Sequence, residues 1–436
     1  MSILLSDIVT LEERGIWQGY VNMVFACGAG LGAPLGGILT DAVGWRWAFI
    51  GQAPLCAIAI FLVAILLQLP PRTDTTTSNG SKPLTTKAKL AQVDFLGATT
   101  LITSLITLLL HLDRLASTPA TPSQQPWAWT SAILPLTSLA SLLLFLHTEH
   151  TLTAHPLTPL PLLFGRPFLG TYLALAFGNV AWYGVLFYVP LLYQATAGHF
   201  SASAAGGLLL PGIGAGVVGG FVGGAVLRRR GGKGFRGLAL GAYPLVTLAC
   251  VGAAVGAGVM VWLGGGGVVS GGGEGEGGLL SVVNVVWGIS GSLFVGGLGN
   301  GAGMTATLVA VVAVASPQDQ AVVTACVYLY RQLGATVGLA VISLVFRRVL
   351  AAALVRRLGD GADVGEVVRR VLVSLDYLQH LPAETRVAVE QAYGEACRAA
   401  LLLCAGLAVC AIVCSCFIKE KRLSGGGVML PVPTVE

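Results

Sequence analysis

Charge is scarce in this chain: Asp, Glu, Lys and Arg make up 10% of its 436 residues, and histidine occurs only 6 times. Soluble domains carry roughly 25% charged residues, so a water-covered surface of ordinary composition is excluded. The formal net charge is only +5, and the basic residues fall in short clusters. A broad nucleic-acid-binding face is therefore not expected. The opening "MSILLSDIVTLEERG" starts without a basic stretch and does not read as a secretory leader. Of the 9 cysteines, all but Cys397, which sits at a border, lie within apolar runs. They show no ligand-like pairing, and even the close trio Cys410, Cys414 and Cys416 reads as packing or lipid-facing residues and not as a metal site. Catalytic signatures are missing as well. Ser, His and Asp form no readable triad, and "GAGLG" at 28–32 lacks the preceding strand and the later acid of a dinucleotide loop. The Gly-rich run at 264–278 is not followed by the Lys-Ser/Thr of a phosphate-binding loop. No enzyme activity, cofactor or metal is expected.

What is present is apolar length. Hydrophobic residues reach 55% and the mean hydropathy is +0.80. Runs of about 18 apolar residues are long enough to cross a bilayer as a helix. About ten stand out, near 17–39, 46–68, 94–112, 130–147, 168–190, 203–227, 237–262, 282–313, 321–346 and 399–418. They predict an all-α integral membrane protein. The charge-rich segment 347–398 has partial helical periodicity and is read as a helical cap on the membrane surface. Basic residues accumulate on alternate connections: Arg14, then Arg72, Lys82, Lys87 and Lys89, then Arg166, then Arg228, Arg229, Arg230, Lys233 and Arg236, then Lys419, Lys421 and Arg422. The other connections hold Arg46, Arg114, Glu274 and Glu276. By the excess of Lys and Arg in short cytoplasmic loops, both ends of the chain face the cytoplasm, and 264–278 and 347–398 lie on the opposite side.

Glycine, at 60 residues, is abundant where helices are expected. Spacing of four places Gly28, Gly32 and Gly36 on one face, likewise Gly212, Gly216, Gly220 and Gly224, and likewise Gly299 and Gly303. Such faces let helix backbones approach closely in lipid. Pro34 removes an intrahelical donor and bends the first of these faces. Bent glycine faces in a many-span chain suit bundles that rock against each other, as in transporters.

"GYVNMVFACGAGLGAPLGGILTDAVGWRWAFIGQAP" (19–54) resembles the fifth-helix antiporter motif and following loop of the major facilitator superfamily, in its fourteen-span drug:proton antiporter group. The residues that carry the likeness are Gly19, Gly28, Gly32, Gly36, Gly37, Asp41, Arg46 and the pattern Gly-Trp-Arg-Trp-x-Phe at 44–49. "GLGAPLGG", with Gln52 and Pro54, is similar to the fungal vacuolar basic amino acid transporters; the likeness continues through "VDFLGA" (93–98), 187–211, 299–338 and "FIKEKRL" (417–423). The resemblance implies a facilitator helical bundle with about ten of fourteen expected spans. It places a two-span remnant of the N-terminal bundle at 1–68, two inserted linker spans at 69–150, and a C-terminal six-helix bundle at 151–436 that includes the non-cytoplasmic segment 347–398. Four spans, and with them the family's "GxLxDRxGR" loop, are expected upstream. The echo of that loop at "GAVLRRRGGK" (224–233) has Arg228 where the acid would stand.

Charges inside a membrane are costly and usually serve ion or substrate paths. Arg331 lies about ten residues, roughly 15 Å, into its span, where it could hold a carboxylate, neutralise a buried acid or cap a broken helix. Asn179 and Tyr183 share a helix face, Gln194 follows that span, and Asn300 stands between glycines; each could line a path or bond a neighbouring helix. Asp94 reads as a helix N-cap, Asp41 and Arg46 as a structural pair, and His111 with Asp113 as a solvated pair. The resemblance implies proton-coupled antiport of basic amino acids into the vacuole, with the lipid bilayer as solvent and no nucleic acid partner. Drug or toxin efflux at the plasma membrane is the alternative, and a truncated membrane protein that moves no solute is a second.

Overall fold

The computed structural model describes residues 42–66, 94–117, 128–152, 158–196, 202–229, 234–265, 276–316, 319–359 and 382–419. It also describes Trp17, Tyr20, Val21, Val24, Gly28, Gly32, Leu35, Gly36, Ile38, Leu39 and Arg370. Pro34, Gly37 and Asp41 lie outside the described residues.

Nine long helices occupy the described chain: α1 (Trp45–Leu66), α2 (Phe95–Ser117), α3 (Ala128–His147), α4 (Arg166–Thr196), α5 (Leu210–Arg229), α6 (Phe235–Gly265), α7 (Glu276–Val314), α8 (Gln320–Leu358) and α9 (Ala383–Ser415). Each holds a window apolar and long enough to cross a membrane. Short helices at Leu160–Leu163 and Ala202–Gly207 prepare α4 and α5. Prolines inside α1, α3, α4 and α6 are tolerated because lipid gives the backbone no alternative to helical bonding. Two glycines serve as stops. Gly44, at φ +93° with its N–H on the Leu39 carbonyl, turns the chain from the helical residues described before it (within 17–43, the first helix) into α1, and Gly359, at φ +83°, ends α8 with its N–H on the Val355 carbonyl.

Helices α4 to α9 form one packed bundle. Helix α4 touches α6, α7, α8 and α9, and α6 is flanked by α7 and α9. Its core is small and apolar: Ala249, Cys250, Ala253, Ala257, Ala396, Cys397, Ala400 and Cys404 are all fully buried. Cys410 and Cys416 are exposed, Cys414 is half-buried, and no group of His, Cys, Asp and Glu able to hold a metal occurs among the described residues.

Helices α2 and α3 make a separate antiparallel hairpin held by a reciprocal clasp. The Ser104 hydroxyl donates to the Ser138 carbonyl and the Ser138 hydroxyl to the Ser104 carbonyl, both at 3.0 Å. The hairpin leans on α8. Asp94 caps α2, its Oδ1 accepting the Gly97 N–H at 2.7 Å, as its position before an apolar run predicts.

Segment 347–398 differs from the expected surface cap. Its first part, to Leu358, prolongs α8, and its last part, from Ala383, is the start of α9. Leu350, Ala353, Leu354, Val389, Ala392 and Tyr393 are buried between the two extensions. Glu395 accepts from both Arg356 and Arg357, and Arg357 also reaches Gln391. Apolar residues recur on one face of each extension, so the pair continues as a helical hairpin instead of lying flat. At 39 residues, α8 is about 58 Å long, well beyond a hydrocarbon core of about 30 Å.

Candidate functional site

The polar candidates surround α4, and glycine positions fix how its neighbours meet it. A β-carbon on Gly334 of α8 would strike Ala176, and one on Gly338 would strike Val180. Both pairs advance by four residues together, so α4 and α8 run parallel in close contact. The same reasoning makes α5 and α7 parallel: a β-carbon on Gly297 collides with the Gly212 carbonyl, and one on Gly301 with the Gly216 carbonyl. Toward α6 the α7 glycines run the other way, Gly299 against Ala242 and Gly296 against Ala249. Helix α7 therefore carries two glycine faces, one for each neighbour.

This refines the expected stripes. Gly212 and Gly216 face α7, but farther along α5 the tight positions are Gly219, against the Leu298 backbone, and Gly223, against Ala302. Gly220 is in ordinary contact only. A strict spacing of four drifts around a helix of 3.6 residues per turn, so the contact passes from one row to the next. Gly299 and Gly303 face α6, as a shared face requires. Gly28 and Gly32 differ. They are exposed, and a β-carbon on either meets nothing within 4 Å among the described residues. The close contact expected there is not made by any described part of the chain. The first helix does touch the bundle through Tyr20, whose ring lies edge-on to Phe221 of α5 at 5.5 Å.

Two aromatic side chains use the glycine gaps as sockets. Trp182 of α4 reaches between Gly212 of α5 and Gly296 of α7, and Tyr243 of α6 lies against Gly178 of α4 and Gly303 of α7. The Tyr243 hydroxyl is buried and has no hydrogen bond among the described residues. Neither aromatic stood out in the sequence, because an aromatic in an apolar run has no periodic mark; only its glycine sockets, on other helices, give it away.

Arg331 is 8% exposed on the face of α8 that also buries Val327 and Ile342. Its guanidinium stands 5.7 Å from the ring centre of Tyr328. The adjacent Tyr330 stacks on Tyr172 of α4 at 4.8 Å, and its hydroxyl donates to the Leu163 carbonyl at 3.1 Å. In the parallel register Arg331 falls beside residue 173 of α4. Asn179 is then about 9 Å farther along the axis and Tyr183 about 15 Å. Asn179 is 2% exposed and spends its amide on the Leu175 carbonyl of its own helix at 2.9 Å. Asn300 is buried one turn before Gly303, while Tyr183 and Gln194 are half-buried. Asn179, Tyr183 and Gln194 are thus strung along α4, with Arg331 on α8 and Asn300 on α7, and the set is not gathered at one point. Arg46 and Gln52, at the other end of the chain, are exposed. Asp113 is exposed, and its Oδ1 lies 3.4 Å from Arg347 of α8.

Among the described residues every long element is a helix, the helices of the C-terminal bundle meet at glycine faces, and polar groups lie on and beside the central α4. That is the build of a polytopic membrane carrier. Residues 1–339 match the model of the Major Facilitator Superfamily, and the chain belongs to that family of membrane transporters. It is similar to the vacuolar membrane amino acid uptake transporter fnx2 of Schizosaccharomyces pombe, 30% identical over 97% of this chain and 66% of the relative. It also resembles the multidrug resistance protein fnx1 of the same yeast, at 27% over 97% of this chain and 72% of fnx1. The vacuolar basic amino acid transporter 2 of Saccharomyces cerevisiae is 26% identical over 96% of this chain and 82% of its own length. The chain thus spans about two thirds of fnx2.

Proposed function

We propose that this protein is a proton-coupled carrier that moves basic amino acids from the cytoplasm into the vacuole. The observation that carries the reading is a likeness, over nearly the whole chain, to relatives named for vacuolar amino acid transport. Arg331 gives it a chemical anchor. A buried guanidinium can hold an α-carboxylate through two parallel hydrogen bonds, a geometry Lys does not reproduce. The basic connections, among them Arg229 and Arg236, mark the cytoplasmic side. By connection order that side also holds the start of α8, so Arg331 lies in the cytoplasmic part of its span.

Vesicles carrying the protein, tested for labelled arginine uptake under an imposed pH gradient and beside a cationic dye, examine this reading. Arg331→Lys is expected to weaken apparent arginine affinity at least tenfold and dye movement by less than twofold. Unchanged arginine affinity removes Arg331 from the substrate path. Dye movement without arginine uptake in the parent protein favours drug efflux, the reading that the likeness to fnx1 supports.

A further inference from the structure

A π-helical turn, Thr148–Leu152, ends α3 and carries Glu149, which is 5% exposed. Its Oε1 accepts twice from one residue: the Thr158 N–H donates at 2.8 Å and the Thr158 hydroxyl at 3.0 Å. Its Oε2 is buried without a hydrogen bond among the described residues. A carboxylate left half-satisfied in an apolar interior needs a counter-charge or a proton.

Among the described residues that face it, none is a cation. The serine clasp sets an antiparallel register in which Asp94 of α2 falls opposite Thr148, so the group facing Glu149 from α2 is a second buried acid. From α8 comes the buried thiol Cys326. Residues 158–163 bring no titratable side chain. On its own element, His147 and His150 are exposed, and His147 is 3.4 Å from the Thr151 hydroxyl. Arg331 lies five residues beyond Cys326, about 7.5 Å farther along the axis.

We propose that Glu149 is a proton-binding residue of this carrier, loaded on Oε2 from the side of the membrane that bears the basic loops. The inference rests on the transporter reading above. The proton comes from water and forms an O–H bond on one Oε2 lone pair; no other bond breaks, and release returns it to water. Loading turns two charge-assisted hydrogen bonds from Thr158 into weaker neutral ones. It thereby loosens the end of α3 from the segment leading into α4. That segment is also held by Tyr330, the neighbour of Arg331, through the Leu163 carbonyl. Proton load at Glu149 thus reaches the helix that carries the substrate candidate.

The test is infrared difference spectroscopy of the purified protein in nanodiscs between about pH 5 and about pH 8, a window that begins above the ordinary carboxylate range. A protonated-carboxyl band is expected in the parent, absent in Glu149→Gln and kept in Asp94→Asn. Glutamine retains an acceptor for Thr158, and an unchanged amide band confirms that the variant folds. A carboxyl band that persists in folded Glu149→Gln, or no band in the parent, overturns the proposal. Thr158→Val gives an independent check. It removes one donor to the charged form, so the midpoint of the band must move to higher pH; an unmoved midpoint also overturns it. Arginine uptake is measured on the same preparations, and its pH dependence should flatten in Glu149→Gln. A titrating band in a parent that takes up no arginine leaves the proton site standing and removes the transport reading.

Discussion

The glycines of the first helix and those of α5 and α7 follow the same spacing, yet their surroundings are opposite. Gly301 lies so close to the Gly216 backbone that a β-carbon there would enter it, and one on Gly297 would likewise enter the Gly212 carbonyl. Gly28 and Gly32 face open space among the described residues, and the membrane window of α1 has nothing buried within the structure. One pattern in the sequence therefore marks a face prepared for close approach, and a second helix must be there to use it. In the C-terminal bundle that helix is α7, whose own glycines complete the contact.

The largest expected effect breaks this contrast at its tight end. Gly301→Leu drives a side chain into the Gly216 carbonyl of α5, where backbone cannot give way. Overpacking of this kind costs about 3 kcal/mol or more when the obstacle is backbone. The variant should lose its monodisperse peak in detergent and its cooperative thermal transition. Gly32→Leu should stay within about 0.5 kcal/mol of the parent in the same assay. Equal melting of both variants would erase the distinction. If Gly32→Leu is stable but abolishes uptake, its face is used in transport by a partner other than the described residues.

What the sequence made legible follows from what is periodic. Nine spans, the Asp94 cap and the glycine faces of α5 and α7 could be read because apolar length, a capping residue and small-residue spacing are local signals. Glu149 was not legible. Its neighbours "HTEHT" look like a polar helix end, and its burial arises only when Thr158, across a connection of unequal composition, folds back onto it. Trp182 and Tyr243 were hidden for the same reason. The extension of α8 past Arg347 was misread because charges on its outer face masked an apolar face carrying Leu350, Ala353 and Leu354.

A middle-sized effect tests the hairpin α2–α3, which belongs neither to the packed bundle nor to the first two spans. Ser104 and Ser138 each donate to the other's carbonyl, so removing one hydroxyl leaves the second bond in place. Hydrogen bonds between membrane helices average about 0.6 kcal/mol. Ser104→Ala and Ser138→Ala should each destabilise by about that amount, and the double variant by about twice it. Additivity within error supports two independent bonds, whereas a double variant no worse than either single one would show that the clasp forms as a unit.

The smallest effect concerns how this hairpin rests on the bundle. Asp113, at the end of α2, lies 3.4 Å from Arg347, while Arg348 donates to the Leu115 carbonyl at 2.6 Å. The ion pair is largely exposed, with side chains 63% and 37% accessible, so solvent screens it and it contributes only about 0 to 1 kcal/mol. Its value is positional. Both residues stand near the ends of their spans, and their contact requires those ends to lie on one side of the membrane, the side opposite the basic loops. Asp113→Arg should lower stability slightly and Arg347→Asp likewise, through repulsion with the charge left behind. Combining the two reverses the pair and should recover most of the loss, with the recovery shrinking as salt is raised. Two losses that simply add, at low salt, would mean that the charges do not meet and that the Arg348 bond to the Leu115 carbonyl, not the ion pair, helps tie the outer end of α2 to α8.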